Sequence, residues 1–248
     1  MAFIQINFRS KVLMQNTNVN VILPDNSEPP FKTLYLLHGL YGDYSAWIRN
    51  TCIEQYVKNY NLAVVMPSAD NSFYTDMKFG GRYYTHISHE IIEYTRKIFP
   101  LSTNRSDTFI AGASMGGYGA VKIALKNPDI FCAATSLSGC LDIESIAQSD
   151  APMNKALLYL IMGNVKDLSE SEENVIYLAK KLAASGKSKP AIYQVVGCED
   201  FLYQNNLAFK NSVEPIWDCY KYEESHGAHT WDFWDKYIPK MLDFLFKM

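Results

Sequence analysis

Residues 108–117 read Thr-Phe-Ile-Ala-Gly-Ala-Ser-Met-Gly-Gly, and helix formers follow over 118–126 until Asn127-Pro128 stops them. A β-branched and aromatic run that becomes a helix within five residues leaves few architectures open. The strand must lie inside a sheet, and the helix must pack back onto its face. So tight a reversal has no room for Cβ atoms at its two ends, and Gly112 and Gly116 remove them. Ser114 is then left at the apex of a G-x-S-x-G elbow with its hydroxyl pushed clear of the backbone. The alternative is an ordinary glycine-rich turn. The buried strand before it and the helix after it favour the elbow.

The rest of the chain keeps the same rhythm. Continuous apolar runs at 33–37 and 62–66 read as buried strands, and 133–137, 191–196 and 217–222 as further strands, with helices expected over 45–58, 85–98, 172–184, 202–211 and 231–246. Segments 3–8, 11–14 and 19–23 read as antiparallel strands ahead of them. The prediction is an α/β fold, a mainly parallel mixed sheet with helices on both faces, in one domain spanning 1–248. Residues 140–170 break the alternation and suggest a small lid-like insertion, a plain helical crossover being the alternative.

Bulk properties narrow the function. With 248 residues, 48% hydrophobic and 20% charged, the chain is long enough to fill one core. A net charge of -3 and no basic run interleaved with aromatics argue against nucleic acid as a partner. No stretch is apolar for long enough to span a bilayer, and the alternating N-terminus does not read as a signal peptide. Five scattered cysteines without C-x-x-C spacing predict reduced thiols in a cytoplasmic protein.

A serine hydroxyl must lose its proton as it attacks, so it needs a histidine base, and the base needs a carboxylate to fix its tautomer. Behind such an elbow the acid and then the histidine follow in chain order, each on a loop beyond a strand end. The run 192–196 ends in Gly197-Cys198-Glu199-Asp200. Asp200 is the preferred acid because a helix starts directly after it; its alternative role is a helix N-cap. Glu199 is the nearest rival and Asp142 a weaker one. The last strand runs into Ser225-His226-Gly227-Ala228-His229, which offers two histidines that spacing alone barely separates. His86 and His89 could face one side of a helix as metal ligands, but no third ligand is evident.

The developing oxyanion needs two backbone N–H groups, and losing one costs about 2.7–4 kcal/mol of barrier. Met115, the residue after the serine, offers one; Leu40, in His38-Gly39-Leu40-Tyr41-Gly42 after an early strand, is the candidate for the other. His38 precedes the elbow and is expected to be architectural.

Together these segments resemble the esterase D-like branch of the α/β-hydrolases, and among them the small bacterial tributyrin and acetyl esterases. The resemblance rests on Leu36-Leu37-His38-Gly39-Leu40-Tyr41-Gly42-Asp43, Trp47, the elbow through Gly119, Ser72 to Met77, Glu199-Asp200-Phe201-Leu202-Tyr203 and Gly227-x-His229-x-Trp231. It implies that His229 is the base and Asp200 the acid, and that short-chain acyl esters are hydrolysed through an acyl-enzyme. No cofactor and no metal are implied. Feruloyl esterases and S-formylglutathione hydrolases are relatives; the latter generally lack the Trp231 setting, which ranks that thioester lower. A non-catalytic binding scaffold is the reading from another class. Tyr74, Tyr203 and Trp231 are candidates to line the substrate pocket, packing around it being the alternative. Association into homo-oligomers is expected only by family analogy.

Overall fold

The computed structural model describes residues 1–25, 27–148, 152–163 and 168–247. Eight strands form one sheet in the order β1-β2-β4-β3-β5-β6-β7-β8: β1 (Ala2–Ser10), β2 (Gln15–Leu23), β3 (Lys32–Leu37), β4 (Leu62–Pro67), β5 (Thr108–Ala113), β6 (Ala133–Leu137), β7 (Ala191–Gly197) and β8 (Tyr220–Ser225). β1 and β2 pair antiparallel, and β2 meets β4 antiparallel. From β4 to β8 every pairing is parallel, so these strands all end at one edge of the sheet. β4, β5, β6 and β7 are buried along their whole length, as strands covered on both faces must be.

The strand expected over 11–14 is a turn. β1 and β2 register from Ala2↔Leu23 to Ser10↔Gln15, and only these four residues remain to join them. The Lys11 and Val12 amides donate to Glu90 at 2.6 and 3.2 Å in place of a ladder, and Met14 takes φ 57.

The helices are α1 (Ala46–Asn50), α2 (Ile53–Val57), α3 (Tyr83–Thr85), α4 (Ile91–Ile98), α5 (Met115–Lys126), α6 (Ile143–Gln148), α7 (Pro152–Met162), α8 (Val175–Ala183), α9 (Tyr203–Val213) and α10 (Trp231–Phe246). The single helix expected over 45–58 is two, because Thr51 is extended and Asp235 of α10 takes the Cys52 amide at 2.8 Å. The helix over 83–98 carries a π turn, His86–Glu90. α8 starts at Val175 because the Asn174 side chain caps it, accepting from the Ile176 and Tyr177 amides. Residues 140–170, expected as an insertion, include α6 and α7; 149–151 and 164–167 lie outside the described residues.

One core, containing Trp47, Ile53, Val57 and Trp234, packs α1, α2 and α10 on one face of the sheet. The other, containing Tyr118, Val121, Leu178 and Phe209, packs α5, α8 and α9 on the opposite face. Inside the second core, buried Lys122 donates to Glu173 at 2.6 Å, to Thr75 at 2.6 Å and to the Phe73 carbonyl at 3.1 Å. This ties the 72–75 loop and the approach to α8 onto α5. Among the described residues no helix is long and apolar enough to cross a membrane.

Candidate active site

Ser114 joins β5 to α5 with φ 57 and ψ -122, a left-handed conformation that costs a non-glycine residue about 1–3 kcal/mol. The surroundings hold it there: its amide donates to the Leu137 carbonyl at 2.9 Å, and its carbonyl accepts from Tyr118 at 3.1 Å and Cys140 at 3.3 Å. The elbow closes so tightly that a Cβ on Gly112 would lie 2.4 Å from the Gly116 carbonyl, and one on Gly116 would lie 2.3 Å from the Leu37 oxygen. No side chain fits at either position.

The β7–α9 and β8–α10 loops meet Ser114 from the far side. His229 Nε2 lies 2.8 Å from Ser114 Oγ, and His229 Nδ1 lies 2.9 and 3.0 Å from the two oxygens of Asp200. A buried carboxylate can only accept, so Nδ1 carries the proton and Nε2 is free to accept from the serine hydroxyl. Asp200 also accepts from the Leu202 amide at 2.8 Å. Burial pushes its pKa up, but the bonds from His229 and Leu202 outweigh that and leave it below the ordinary carboxylate value. The charged form is the resident one. Around the imidazole, the Phe201 ring lies 4.4 Å away and the Trp234 ring meets it edge-on at 4.9 Å. Trp234 is pinned in turn by its indole N–H, which donates to Ser138 at 3.0 Å.

The rival groups fall elsewhere. Glu199 pairs with His226 at 2.8 Å, out in solvent. Asp142 accepts from the Ser145 amide at 3.2 Å, at the head of α6. His86 bonds Glu90 at 2.6 Å while His89 turns to Ser88 at 2.7 Å, so the two do not converge. Among the described residues no three His, Cys, Asp or Glu side chains form a metal-sized group.

Ser114 and His229 open into a cleft of about 600 Å³ that Gly39, Leu40, Phe201 and Trp231 also line. Met115 is the first residue of α5, where helix geometry leaves the amide without an intrahelical acceptor. Neither the Met115 nor the Leu40 amide donates to a protein acceptor among the described residues. Of the three aromatic residues expected at the pocket, Trp231 lines the cleft and packs edge-on against Trp47 and Trp234. Tyr74 does not reach it. That side chain is wholly buried, its ring lies over Gly119 and its hydroxyl donates to the His38 carbonyl at 2.8 Å. Tyr203 turns outward to Glu224 at 3.2 Å and is absent from the lining.

Sequence reasoning passed over Phe201, Trp234 and Arg49, all of which line the cleft. Trp234 had a legible signal. It stands three residues after Trp231, on the same side of α10. Arg49 gave none, because an exposed arginine on a short helix reads as solvated surface.

A model of the Esterase family matches residues 10–245. The acetyl esterase of Caldicellulosiruptor saccharolyticus is 38% identical, and the alignment takes in 100% of this chain and 99% of that protein. Among solved structures, the fluorophosphonate-binding serine hydrolase F of Staphylococcus aureus, with substrate bound, is 37% identical at a TM-score of 0.91, with 98% of each chain covered. The S-formylglutathione hydrolase of Staphylococcus aureus is also 37% identical, at a TM-score of 0.87 and the same coverage. This chain belongs to the Esterase family and is a carboxylesterase of α/β-hydrolase fold.

Proposed function

We propose that the chain hydrolyses short-chain acyl esters, of the acetyl and butyryl type, with Ser114 as nucleophile, His229 as base and Asp200 as the acid that orients it. The observation that carries this reading is the unbroken relay from Ser114 Oγ to His229 at 2.8 Å and on to buried Asp200 at 2.9 Å. His229 Nε2 takes the hydroxyl proton as Ser114 Oγ bonds to the ester carbonyl carbon. The Leu40 and Met115 amides, which have no protein acceptor among the described residues, meet the oxygen that becomes charged. Asp200, ionised and dry, stabilises the imidazolium. His229 then protonates the departing alcohol, the C–O bond breaks and the acyl-enzyme is left. Water, giving its proton to the same nitrogen, releases the acid and restores Ser114.

The full-length likeness to an acetyl esterase favours a small acyl group. The aromatic side chains at the cleft, Phe201, Trp231 and Trp234, suit a compact apolar one. A second reading, thioester hydrolysis, is favoured by the relative named as an S-formylglutathione hydrolase, even though the residues after His229 point the other way. A feruloyl ester is the third substrate to try. A solved ferulic acid esterase shares the fold at a TM-score of 0.82 and 24% identity. Rates on p-nitrophenyl acetate, p-nitrophenyl butyrate, a feruloyl ester and S-formylglutathione, measured beside Ser114→Ala, decide among them. Acetyl and butyryl esters should lead. Wild-type turnover by Ser114→Ala would remove Ser114 as the nucleophile, whereas a native protein with neither turnover nor labelling by a fluorophosphonate would be only a binding scaffold.

A further inference from the structure

His38 takes no part in the proton relay, yet it is wholly buried beside the cleft with both ring nitrogens engaged. The Ala69 amide, which can only donate, lies 2.9 Å from Nε2. Nε2 is therefore the bare nitrogen, and the single ring proton sits on Nδ1. Burial pushes this ring's pKa down against the pull of Gly39, Asp43 and Asp70, so the neutral form persists. Nδ1 lies 2.8 Å from the Gly39 carbonyl oxygen, to which it must donate. The same oxygen accepts from the Gly42 amide at 3.1 Å. Two donors thus hold one carbonyl on the His38 side of the loop.

A trans peptide points its C=O and its N–H in opposite directions. Fixing the Gly39 oxygen toward His38 and Gly42 therefore turns the N–H of the same peptide unit, that of Leu40, the other way. Leu40 lines the cleft together with Ser114. Gly39 runs so close past the serine that a Cβ there would lie 3.3 Å from Ser114 Cβ. The neighbouring amides are satisfied within the protein, Tyr41 by Asn71 at 2.7 Å and Gly42 by Gly39; the Leu40 amide has no protein acceptor among the described residues. His38 is itself clamped, its carbonyl accepting from Tyr74 at 2.8 Å. We propose that His38 is a positioning residue of the oxyanion site, holding the Gly39 carbonyl so that the Leu40 N–H stays aimed at the oxygen of the tetrahedral intermediate. The proposal rests on Leu40 being an oxyanion donor, as read above.

Three substitutions separate the two ring nitrogens. Asn places an N–H donor where Nδ1 stands and nothing at Nε2. Gln places an acceptor near Nε2 and no donor at Nδ1. Ala removes both. Rates on p-nitrophenyl acetate are taken per serine titratable with a fluorophosphonate, with thermal unfolding recorded alongside. His38→Ala should lower kcat by roughly tenfold to a hundredfold with KM within about threefold, short of the ~10²–10³-fold cost of losing a donor outright. His38→Asn should recover most of that loss and His38→Gln little of it. Recovery by Gln instead of Asn, equal recovery by both, or a fall confined to KM would overturn the proposal. If the Ala protein does not fold, Gly42→Ala replaces it. Its methyl would meet the Gly39 oxygen at 3.1 Å and His38 Nδ1 at 3.2 Å, and the same fall in kcat is expected.

A backbone ester at position 40, which replaces the Leu40 N–H by oxygen, tests the reading beneath the proposal. It should itself lower kcat, and His38→Ala added to it should then cost less than about twofold. An undiminished cost in that background overturns the role of His38 and leaves Leu40 standing. An ester at position 40 with wild-type kcat removes Leu40 as a donor, and the proposal falls with it.

Discussion

Two acid–histidine pairs stand side by side at the edge of the sheet, drawn from the same two loops. Glu199–His226 is 2.8 Å across and Asp200–His229 is 2.9 Å across. By distance they are the same interaction. They differ in surroundings: the side chains of His226 and Glu199 are 98% and 52% exposed, those of His229 and Asp200 14% and 0%. Both carboxyl groups sit below their ordinary pKa, for different reasons. Glu199 gains first from the Gly227 amide and then from His226, with water all around. Asp200 pays a burial penalty that His229 and the Leu202 amide overcome. An exposed pair is screened and free to come apart, so the contact between the two side chains does not hold the His226 ring in one orientation. A dry pair has no partner to exchange for and holds the ring in one orientation. Burial and a third partner at 2.8 Å, Ser114, set the second pair apart.

Changing matched residues in the two pairs is the sharpest way to break this contrast. If the proposed relay is right, Asp200→Asn should lower kcat on p-nitrophenyl acetate by roughly 10⁴-fold and His229→Ala by up to about 10⁶-fold, the losses seen when a triad is deprived of its orienting acid or its base. Both proteins should keep the native far-ultraviolet dichroism. A loss of that size at Glu199 with none at Asp200 would hand the acid's role to the exposed pair.

How far this was legible in the sequence follows the range of each interaction. The elbow, the buried runs and the acid-before-histidine order are local patterns, and each maps onto a strand end of the parallel sheet. Glu199 and Asp200 differ only in which way the chain turns after Gly197, and a sequence does not print that turn. Two of the three substrate-pocket candidates, Tyr74 and Tyr203, fall off the cleft for the same reason, while Trp231 lines it. Tyr74 looks like a free aromatic near the site, but Gly119, far along the chain in α5, leaves a hollow that its ring fills. Nothing local marks Lys122 of α5 for burial, which depends on Glu173, about fifty residues away. The 11–14 turn was lost because Val12-Leu13-Met14 looks apolar, while the amides there are taken by Glu90. Local chemistry survives in the sequence; long-range partners do not.

Acid should separate the pairs again. A carboxyl with a depressed native pKa contributes stability that is complete above its unfolded value, ~3.9 for Asp, and lost as pH falls through the native one. Between about pH 5 and pH 3 the difference in Tm between the wild type and Asp200→Asn should therefore shrink as pH falls. Thermal unfolding across that range checks it; a difference that grew toward low pH would mean that Asp200 is protonated in the native protein. For Glu199→Gln the difference should be small throughout, since water screens that carboxylate in both states.

Smaller effects test whether the exposed pair does anything for its neighbour. Glu199 accepts from the Gly227 amide as well as from His226, and its own amide donates to the Gly227 carbonyl at 3.0 Å. It thereby ties the loop that carries His229 to the loop that carries Asp200. Glu199→Ala should lower kcat by roughly threefold to tenfold through loosened geometry, well short of the ~10²-fold that a 1 Å misplacement can cost. Glu199→Gln keeps an acceptor for Gly227 and should recover most of that. Steady-state kinetics on both variants separates a backbone tether from a charge effect.

The least effect is expected from His226 itself. Its ring is almost fully in water, its imidazole bonds Glu199, and Glu199 stays bonded to Gly227 when the ring is gone. His226→Ala should therefore change kcat/KM by less than about twofold, the ordinary outcome for a surface substitution away from special features. Raising the salt concentration should barely move the ratio of variant to wild type, because the exposed pair contributes little in the wild type and is absent from the variant. A hundredfold loss in this variant would mean that an exposed imidazole three residues from His229 reaches the substrate or the proton path. Burial would then no longer be what distinguishes the two pairs.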